Sequence, residues 1–454
     1  MRKAAVACRG RGRPQQPFAY VWAFNYVHPG MNRFLSWALA LAAPCLAILP
    51  LAAGAQALPR PDFAGLYRDV PRVMLDVRRE ADSLRLYVRL PAGTAVGQLR
   101  VAAWANYEAP APQWQDSIPR ARQHRRPDAT SGTRASFCVA AARVPEGSVL
   151  QVQVGPAGLA VAPQNAATTA WLPLTAERLA RPFIVTDSVG LPLLRGYVRA
   201  GETFRVDNYG LIQPLRLRRY AVPPTPALPP MTNPATVVGP PSTLPLLDSA
   251  AARTGQLLRC DDPSLLALRV GGLGGQAPRT LALLVVNGDY PNLRTAKQLV
   301  EPLRYLTSTA EHQRLATAAD PKRAVDGFWL NASHDNQPLG KTMIRNYYGR
   351  VAAANRLFAA HKAGFLTDRG LLYVVLGAPQ GVRRLANGEE EWSYAKVGNA
   401  GALTFSFRPR PSTFAPDNYE LVRRPEYEKP WFGAVEQWRN AQTAPSAPTD
   451  PSGR

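Results

Sequence analysis

The residues best suited to chemistry lie in the last third of the chain. His334 and Asp335 are adjacent in a predicted loop, a pair that could serve acid–base chemistry or offer two ligands to a metal. Thr367, Asp368 and Arg369 follow one another inside Gly364-Phe365-Leu366-Thr367-Asp368-Arg369-Gly370. A hydroxyl, a carboxylate and a guanidinium displayed at one corner could bind a polar ligand. Tyr347, Tyr348 and Arg350 could assist only if their helix folds back towards that corner, and Glu390 adds one more carboxylate. No G-x-S-x-G, H-E-x-x-H, P-loop or dinucleotide fingerprint occurs. The glycine run at residues 271–275 lacks the following helix that a phosphate site requires. Cys138 and Cys260 show no metal-ligand spacing; each reads as a small buried hydrophobe, and spacing alone leaves their pairing open. We therefore assign no catalytic residue, no metal ligand and no cofactor from sequence.

The elements that must position these residues can be read from periodicity. Leu293, Ala296, Leu299, Val300, Leu303 and Leu306 mark one helical face. Asp320 before Pro321 is an N-cap signature and opens a helix with Val325, Phe328 and Trp329 inward. A long helix is predicted over 339–363, with Ile344, Tyr348, Val351, Asn355 and Phe358 along one stripe. On this reading His361 and Lys362 oppose the helix dipole in its last turn. Gly364 then ends the helix in the left-handed conformation, and Phe365 packs back near Ala359 and Ala360. Thr367 and Asp368 bond a turn through their side chains, and Leu371 starts a strand. Every motif position thus has a structural role, which we prefer to ligand binding. Strands are predicted at 371–376 (continuously apolar, hence central), 391–394, 403–407 and 419–422, and a helix at 431–439.

The region before these helices reads as β structure. Leu84, Leu86, Val88 and Leu90 alternate with Arg85, Tyr87 and Arg89, so one face is apolar and the other cationic. Further strands are predicted at 73–77, 99–104, 137–142 and 149–154, with an exposed arginine-rich loop at 113–133. A second set follows at 183–185, 191–198, 203–206, 215–220, 265–270 and 280–286. It is interrupted by proline-rich sequence at 221–245, which must be extended and serves as a linker or an arm along a neighbouring surface. Proline and glycine, at 44 and 34 residues, favour such turn-rich β architecture over long helical bundles.

The N-terminus points to export. Residues 31–57 combine Arg33, an apolar stretch and Ala55-Gln56-Ala57, the plan of a cleavable signal peptide. Residues 1–30 read as an extension ahead of a true start at Met31. The formal charge is +22, and loss of residues 1–57, with six basic and no acidic residues, leaves +16. Such a chain favours anionic surroundings. Its arginines are dispersed and no nucleic-acid motif accompanies them, so nucleic acid is not expected as a partner. No transmembrane segment is expected after signal cleavage.

The C-terminal residues also resemble a known family. Gly364, Phe365, Thr367, Asp368, Arg369 and Gly370 resemble the GWxTD signature and its Arg-Gly continuation, with Phe365 where the family has tryptophan. Around it stand Asn287-Gly288-Asp289-Tyr290-Pro291, Pro302-Leu303-Arg304-Tyr305-Leu306, Tyr347-Tyr348-Gly349-Arg350-Val351 with Ala354-Asn355, Glu391-Trp392-Ser393-Tyr394 and Trp438-Arg439. The resemblance implies an uncharacterised exported bacterial group, and so supports identity and fold without carrying an activity.

The fold class expected is multidomain β plus α+β. Two β-sandwich-like domains, 58–180 and 181–286, precede a helical and antiparallel-sheet GWxTD-like domain at 287–440 and a disordered tail at 441–454. The function expected is a non-enzymatic binding or assembly module of the periplasm, outer envelope or secreted space, with an envelope protein or an anionic glycan as partner. The alternative is a glycan or peptide hydrolase using a carboxylate/His site in the C-terminal domain.

Overall fold

The computed structural model describes residues 61–442, apart from short stretches at 95–96, 128–131, 156–164, 211, 223–224, 238, 272–276 and 399. The expected extension 1–30, the signal peptide 31–57 and all but the first two residues of the tail 441–454 lie outside the described residues. So does most of the glycine run at 271–275.

The first β domain is two four-stranded antiparallel sheets packed face to face. One has the order β1 (Met74–Glu80), β2 (Ser83–Leu90), β6 (Thr133–Ala140), β5 (His124–Pro127). The other has β4 (Trp114–Ile118), β3 (Leu99–Trp104), β7 (Val149–Val154), β8 (Thr169–Pro173). Alternation in β2 drives Leu84, Leu86, Val88 and Leu90 into a core shared with Val101, Phe137 and Val152. The stretch 113–133 is not one loop as predicted: β4, β5 and a 3-10 turn occupy much of it. Its polar side chains misled because edge strands carry few apolar residues. A short helix α1 (Ala176–Ala180), capped by Thr175, leads onward.

The second domain holds β9 (Ile184–Asp187), β10 (Tyr197–Arg199), β11 (Thr203–Asp207), β12 (Pro214–Tyr220), β13 (Leu246–Arg253), β14 (Leu258–Arg259), β15 (Ser264–Val270) and β16 (Arg279–Val286). They form a five-stranded sheet, β10-β16-β15-β12-β13, and a three-stranded one, β14-β11-β9. Among the described residues of this domain only the β10–β16 pairing is parallel. Strand β13 was not predicted, because its largely exposed edge position needs no apolar alternation. Cys260 is buried in this domain, Cys138 is half-buried in the first, and both are free thiols.

The C-terminal domain contains α2 (Ala296–Val300), α3 (Thr309–Ala316), α4 (Pro321–Ala332), α5 (Gln337–Phe358), α6 (Asp368–Leu376) and α7 (Glu428–Arg439). Its antiparallel sheet runs β17 (Gly381–Arg384), β18 (Glu390–Tyr394), β19 (Leu403–Pro409), β20 (Tyr419–Leu421). Asp320 caps α4 by accepting the Arg323 N–H, as its place before proline predicts. The fold class therefore stands as expected, β domains followed by helices and sheet. Three local expectations are corrected. The helix predicted over Leu293 to Leu306 is α2 followed by a 3-10 turn at Glu301–Tyr305 carrying Pro302. The long helix stops at Phe358, where Ala359 turns extended, so His361 and Lys362 lie beyond it. Residues 371–376 form the body of helix α6, because a fully buried apolar run satisfies a central helix as well as a central strand.

Two segments cross between domains. Residues 62–67, ahead of the first sandwich, dock on the C-terminal sheet: Phe63 N–H donates to the Val382 carbonyl, and Val382 N–H to Asp62. Phe63 and Tyr67 are buried in the C-terminal core. The proline-rich segment 221–245 lies along the same domain. Ala227 N–H donates to the Leu366 carbonyl, and Arg424 N–H to that of Pro230. Among the described residues no helix is long and apolar enough to cross a membrane.

Candidate functional site

The heptapeptide 364–370 sits where α5 and α6 meet. Gly364 opens a 3-10 turn and does not take the left-handed conformation, so the predicted helix cap is wrong. Its requirement is steric. A Cβ there would stand 2.0 Å from the Ala354 carbonyl oxygen of α5, and one on Gly370 would stand 1.9 Å from the Gly364 carbonyl oxygen. Three backbone segments are thus nested at distances only glycine permits. Thr367 is the N-cap of α6: its hydroxyl accepts the Gly370 N–H at 3.1 Å and donates to the Gly364 carbonyl at 2.7 Å.

The separate segments that carried the resemblance converge on this backbone. Asn355, fully buried, accepts the Phe365 N–H at 3.2 Å and donates to the Pro291 carbonyl at 2.9 Å. The Tyr305 hydroxyl donates to the Phe365 carbonyl at 2.8 Å, and Tyr290 to the Asn355 carbonyl at 2.8 Å. Phe365 is buried in the C-terminal core. Two turns earlier along α5, Tyr347 donates to the Pro302 carbonyl at 2.6 Å and Tyr348 to the Leu299 carbonyl at 2.7 Å. Arg350 donates to the Val375 carbonyl at 2.9 Å and stacks on Trp438, whose indole N–H donates to that same carbonyl. These tyrosines and Arg350 hold helices to one another; they do not join Thr367, Asp368 and Arg369 in a cleft.

Asp368 is not the exposed turn residue its sequence suggests. Its carboxylate forms a two-point pair with Arg423, 2.6 and 3.1 Å, and accepts the Leu421 N–H of β20 at 2.7 Å. The Arg423 side chain is 2% exposed, and its guanidinium also donates to the Leu228 carbonyl of the proline-rich segment. Arg369 lies over the Tyr419 ring, 4.2 Å from its centroid, and donates to the Asp417 carbonyl. It also stands 3.9 Å from Glu390.

Glu390 is fully buried, and the polar side chains that reach it are donors. Trp392 donates at 2.6 Å, Arg384 at 3.2 Å, and Tyr67 through a short hydrogen bond. Burial pushes the Tyr67 hydroxyl well above its usual range, with Arg384 opposing the shift and Glu390 adding to it. The Tyr373 hydroxyl donates to the Tyr67 carbonyl at 3.0 Å, which ties the N-terminal segment to α6 as well. His334 and Asp335 sit exposed in the turn between α4 and α5, both in the left-handed region. Asp368 and Glu390 are each bound to their own arginines, so His334, Asp368 and Glu390 form no common acid–base site. Among the described residues no three His, Cys, Asp or Glu gather as metal ligands.

Arg423 and Tyr67 escaped the sequence reading because nothing in their neighbourhood along the chain announces a partner 55 or 323 residues away, and Arg384, six residues from Glu390, because the hairpin that pairs them was not predicted. Residues 273–440 match the GWxTD domain model, and no curated protein matches the chain.

Proposed function

We propose that the chain, whose residues 273–440 match the GWxTD domain model, is an exported envelope protein that binds or assembles rather than catalyses, its GWxTD motif serving as the joint that fixes the β domains and the proline-rich arm. The observation that carries this is the Asp368–Arg423–Leu228 chain of contacts, with Leu421 as its second anchor. A buried two-point ion pair holds an element when both partners are satisfied and is costly to break. The family's one acidic motif residue is therefore spent on architecture, and Glu390, Tyr67 and Arg384 bind the N-terminal segment to the same domain. Export rests on the signal-peptide plan of residues 31–57, and the envelope supplies partners for a strongly basic chain.

The test uses protein from its own host. N-terminal sequencing should find Leu58 first; a species retaining Arg33 would refute export through this signal. Envelope pull-downs should then compare wild type with Asp368→Asn. If partner recovery falls only as far as the folded fraction falls, the motif is a joint. A fully folded Asp368→Asn protein that has lost every partner or its in-host phenotype would overturn that reading.

A further inference from the structure

The cationic face of β2 predicted by alternation belongs to a built cleft. Pairing registers across β1, β2, β6 and β5 align the outward residues in rows. One row is Arg89, Arg134 and Arg126 on three successive strands. The next is Asp76, Tyr87, Ser136 and His124, and the third Arg78, Arg85 and Cys138. Five guanidinium groups thus share a face with two carboxylates, Asp76 and Glu80. Arg181, from beyond the sheet, engages Asp76 at 2.6 Å. Arg85 pairs with Glu80 at 2.6 Å, and Arg78 shares the same oxygen.

Against this face the second domain lays the loop 190–194 and Tyr209, enclosing a cavity of about 350 Å³. Arg134 reaches across to the Pro192 carbonyl and stands 3.7 Å from Asp187. Tyr209 stacks on Tyr87 with ring centroids 6.2 Å apart, beneath Arg78. Both Tyr209 and Leu194 hold positive φ, a conformation that bulky side chains rarely take and that clusters at functional sites. Arg126 lines the same cavity. Its Nε lies 3.3 Å from His124 Nε2, and among the described residues no carboxylate pairs with it. Like charges directly opposite on paired strands repel. Arg134 is already engaged by Asp187 and the Pro192 carbonyl, so Arg126 is the guanidinium that an anion in the cavity would meet.

We propose that this cleft binds a small hydroxylated oxyanion, a sugar ring carrying a carboxylate or a phosphate. Arg126 holds the oxyanion beside the Arg134 guanidinium, while Glu80, Ser136 and the tyrosines face the ring. The volume sits near the small end of the range for ligand pockets, which suits a mono- or disaccharide with its charged group rather than a longer chain. Guanidinium forks match carboxylate and phosphate alike, so the geometry selects charge and size first.

The inference rests on the binding-module reading above, and one experiment separates their failures. Protein purified from its host is titrated calorimetrically with digalacturonate, glucose 6-phosphate and neutral maltose at ~50 mM salt, where screening is weak. The probes are recovered afterwards and checked for cleavage. At least one acidic probe should bind and maltose should not, and which one binds distinguishes carboxylate from phosphate. Arg126→Glu should weaken binding about tenfold or more, with an unchanged thermal midpoint, and Arg126→Gln by less. No binding of either acidic probe, equal binding of maltose, or undiminished binding by Arg126→Glu would overturn the site. Cleavage of a bound probe would instead leave the site standing and overturn the non-catalytic reading.

Discussion

The motif corner and the outer face of the β1-β2-β6-β5 sheet are both built from arginines, and they use them in opposite ways. At the corner, Arg423 meets Asp368, Arg384 meets Glu390, and Arg369 lies over Tyr419 near that same Glu390. The Arg423 and Arg369 contacts join elements about 50 residues apart, and Arg384 ties neighbouring strands to Tyr67 317 residues away. On the outer face, Arg89, Arg134 and Arg126 stand side by side in one row; Arg134 is engaged by Asp187 of the second domain, and Asp76 and Glu80 by other arginines. Desolvated guanidinium at the corner persists because its partners are fixed. Arg126, exposed at the edge of the sheet, tolerates the charge of Arg134 because water and salt screen it. The excess positive charge is therefore two populations, one holding the fold and one facing a cavity.

The largest expected effect tests the first population. Asp368→Ala leaves Arg423 buried beside an absent partner and should destabilise the C-terminal domain by about 3–5 kcal/mol in denaturant unfolding. Replacing both residues, Asp368→Leu with Arg423→Met, should recover much of that loss, because an apolar pair carries no uncompensated charge. A single variant costing under ~1 kcal/mol would place Asp368 with exposed pairs and dissolve the contrast.

Gly364→Ala should come next, at about 3 kcal/mol, the upper part of the range for overpacked cores. Its added methyl meets the Ala354 carbonyl rather than a yielding side chain. Gly147 offers the control. It holds φ of +78° with nothing within 4 Å of a Cβ, so its alanine variant should cost only about 1 kcal/mol. Equal costs at the two positions would mean that the backbone around Gly364 yields cheaply and that close approach does not govern the motif glycine.

His361 gives an effect that depends on pH. Burial, assisted by Lys362, pushes its imidazole down to about 4, and its Nδ1 has no hydrogen-bond partner among the described residues. The folded state then binds fewer protons than the unfolded state between the two pKa values. Stability is full above pH ~6.5, falls as pH drops towards about 4, and levels below that, for a total of roughly 3 kcal/mol. Denaturant midpoints from pH 7 to 5 should show the slope in wild type and lose it in His361→Gln. A flat wild-type profile would place His361 in water.

The sequence made some of this legible and hid the rest for physical reasons. Alternation in β2 and the Asp320-Pro321 cap are local signals, and both held. The identity of the C-terminal domain came from scattered short segments, and the structure explains why they belong together: Asn355, Tyr290 and Tyr305 all bond the backbone of 364–366 or its support. Helix α6 was misread because six apolar residues carry no period. Gly364 was misassigned because a cap and a close approach both demand glycine. The cationic cleft was half visible. Arg85 and Arg89 could be placed on one face of β2, but the row through Arg134 and Arg126 needs pairing registers that no single strand contains.

The smallest effect tests the second population, and its sign is what matters. Arg126 faces Arg134 across a non-core surface, so Arg126→Ala removes a repulsion and little packing. At low ionic strength the variant should be as stable as wild type or more stable, by up to ~0.5 kcal/mol. Raising salt shortens the screening length to ~3 Å at 1 M and should erase the difference. Paired thermal melts at low and high salt would measure it. A clear destabilisation independent of salt would show that Arg126 is held by partners as the corner arginines are, and the face would then be architecture too. A gain at low salt that disappears when an acidic sugar is added to the wild type alone would show the same repulsion relieved by an anion, which is the behaviour expected of a residue kept for binding at the expense of stability.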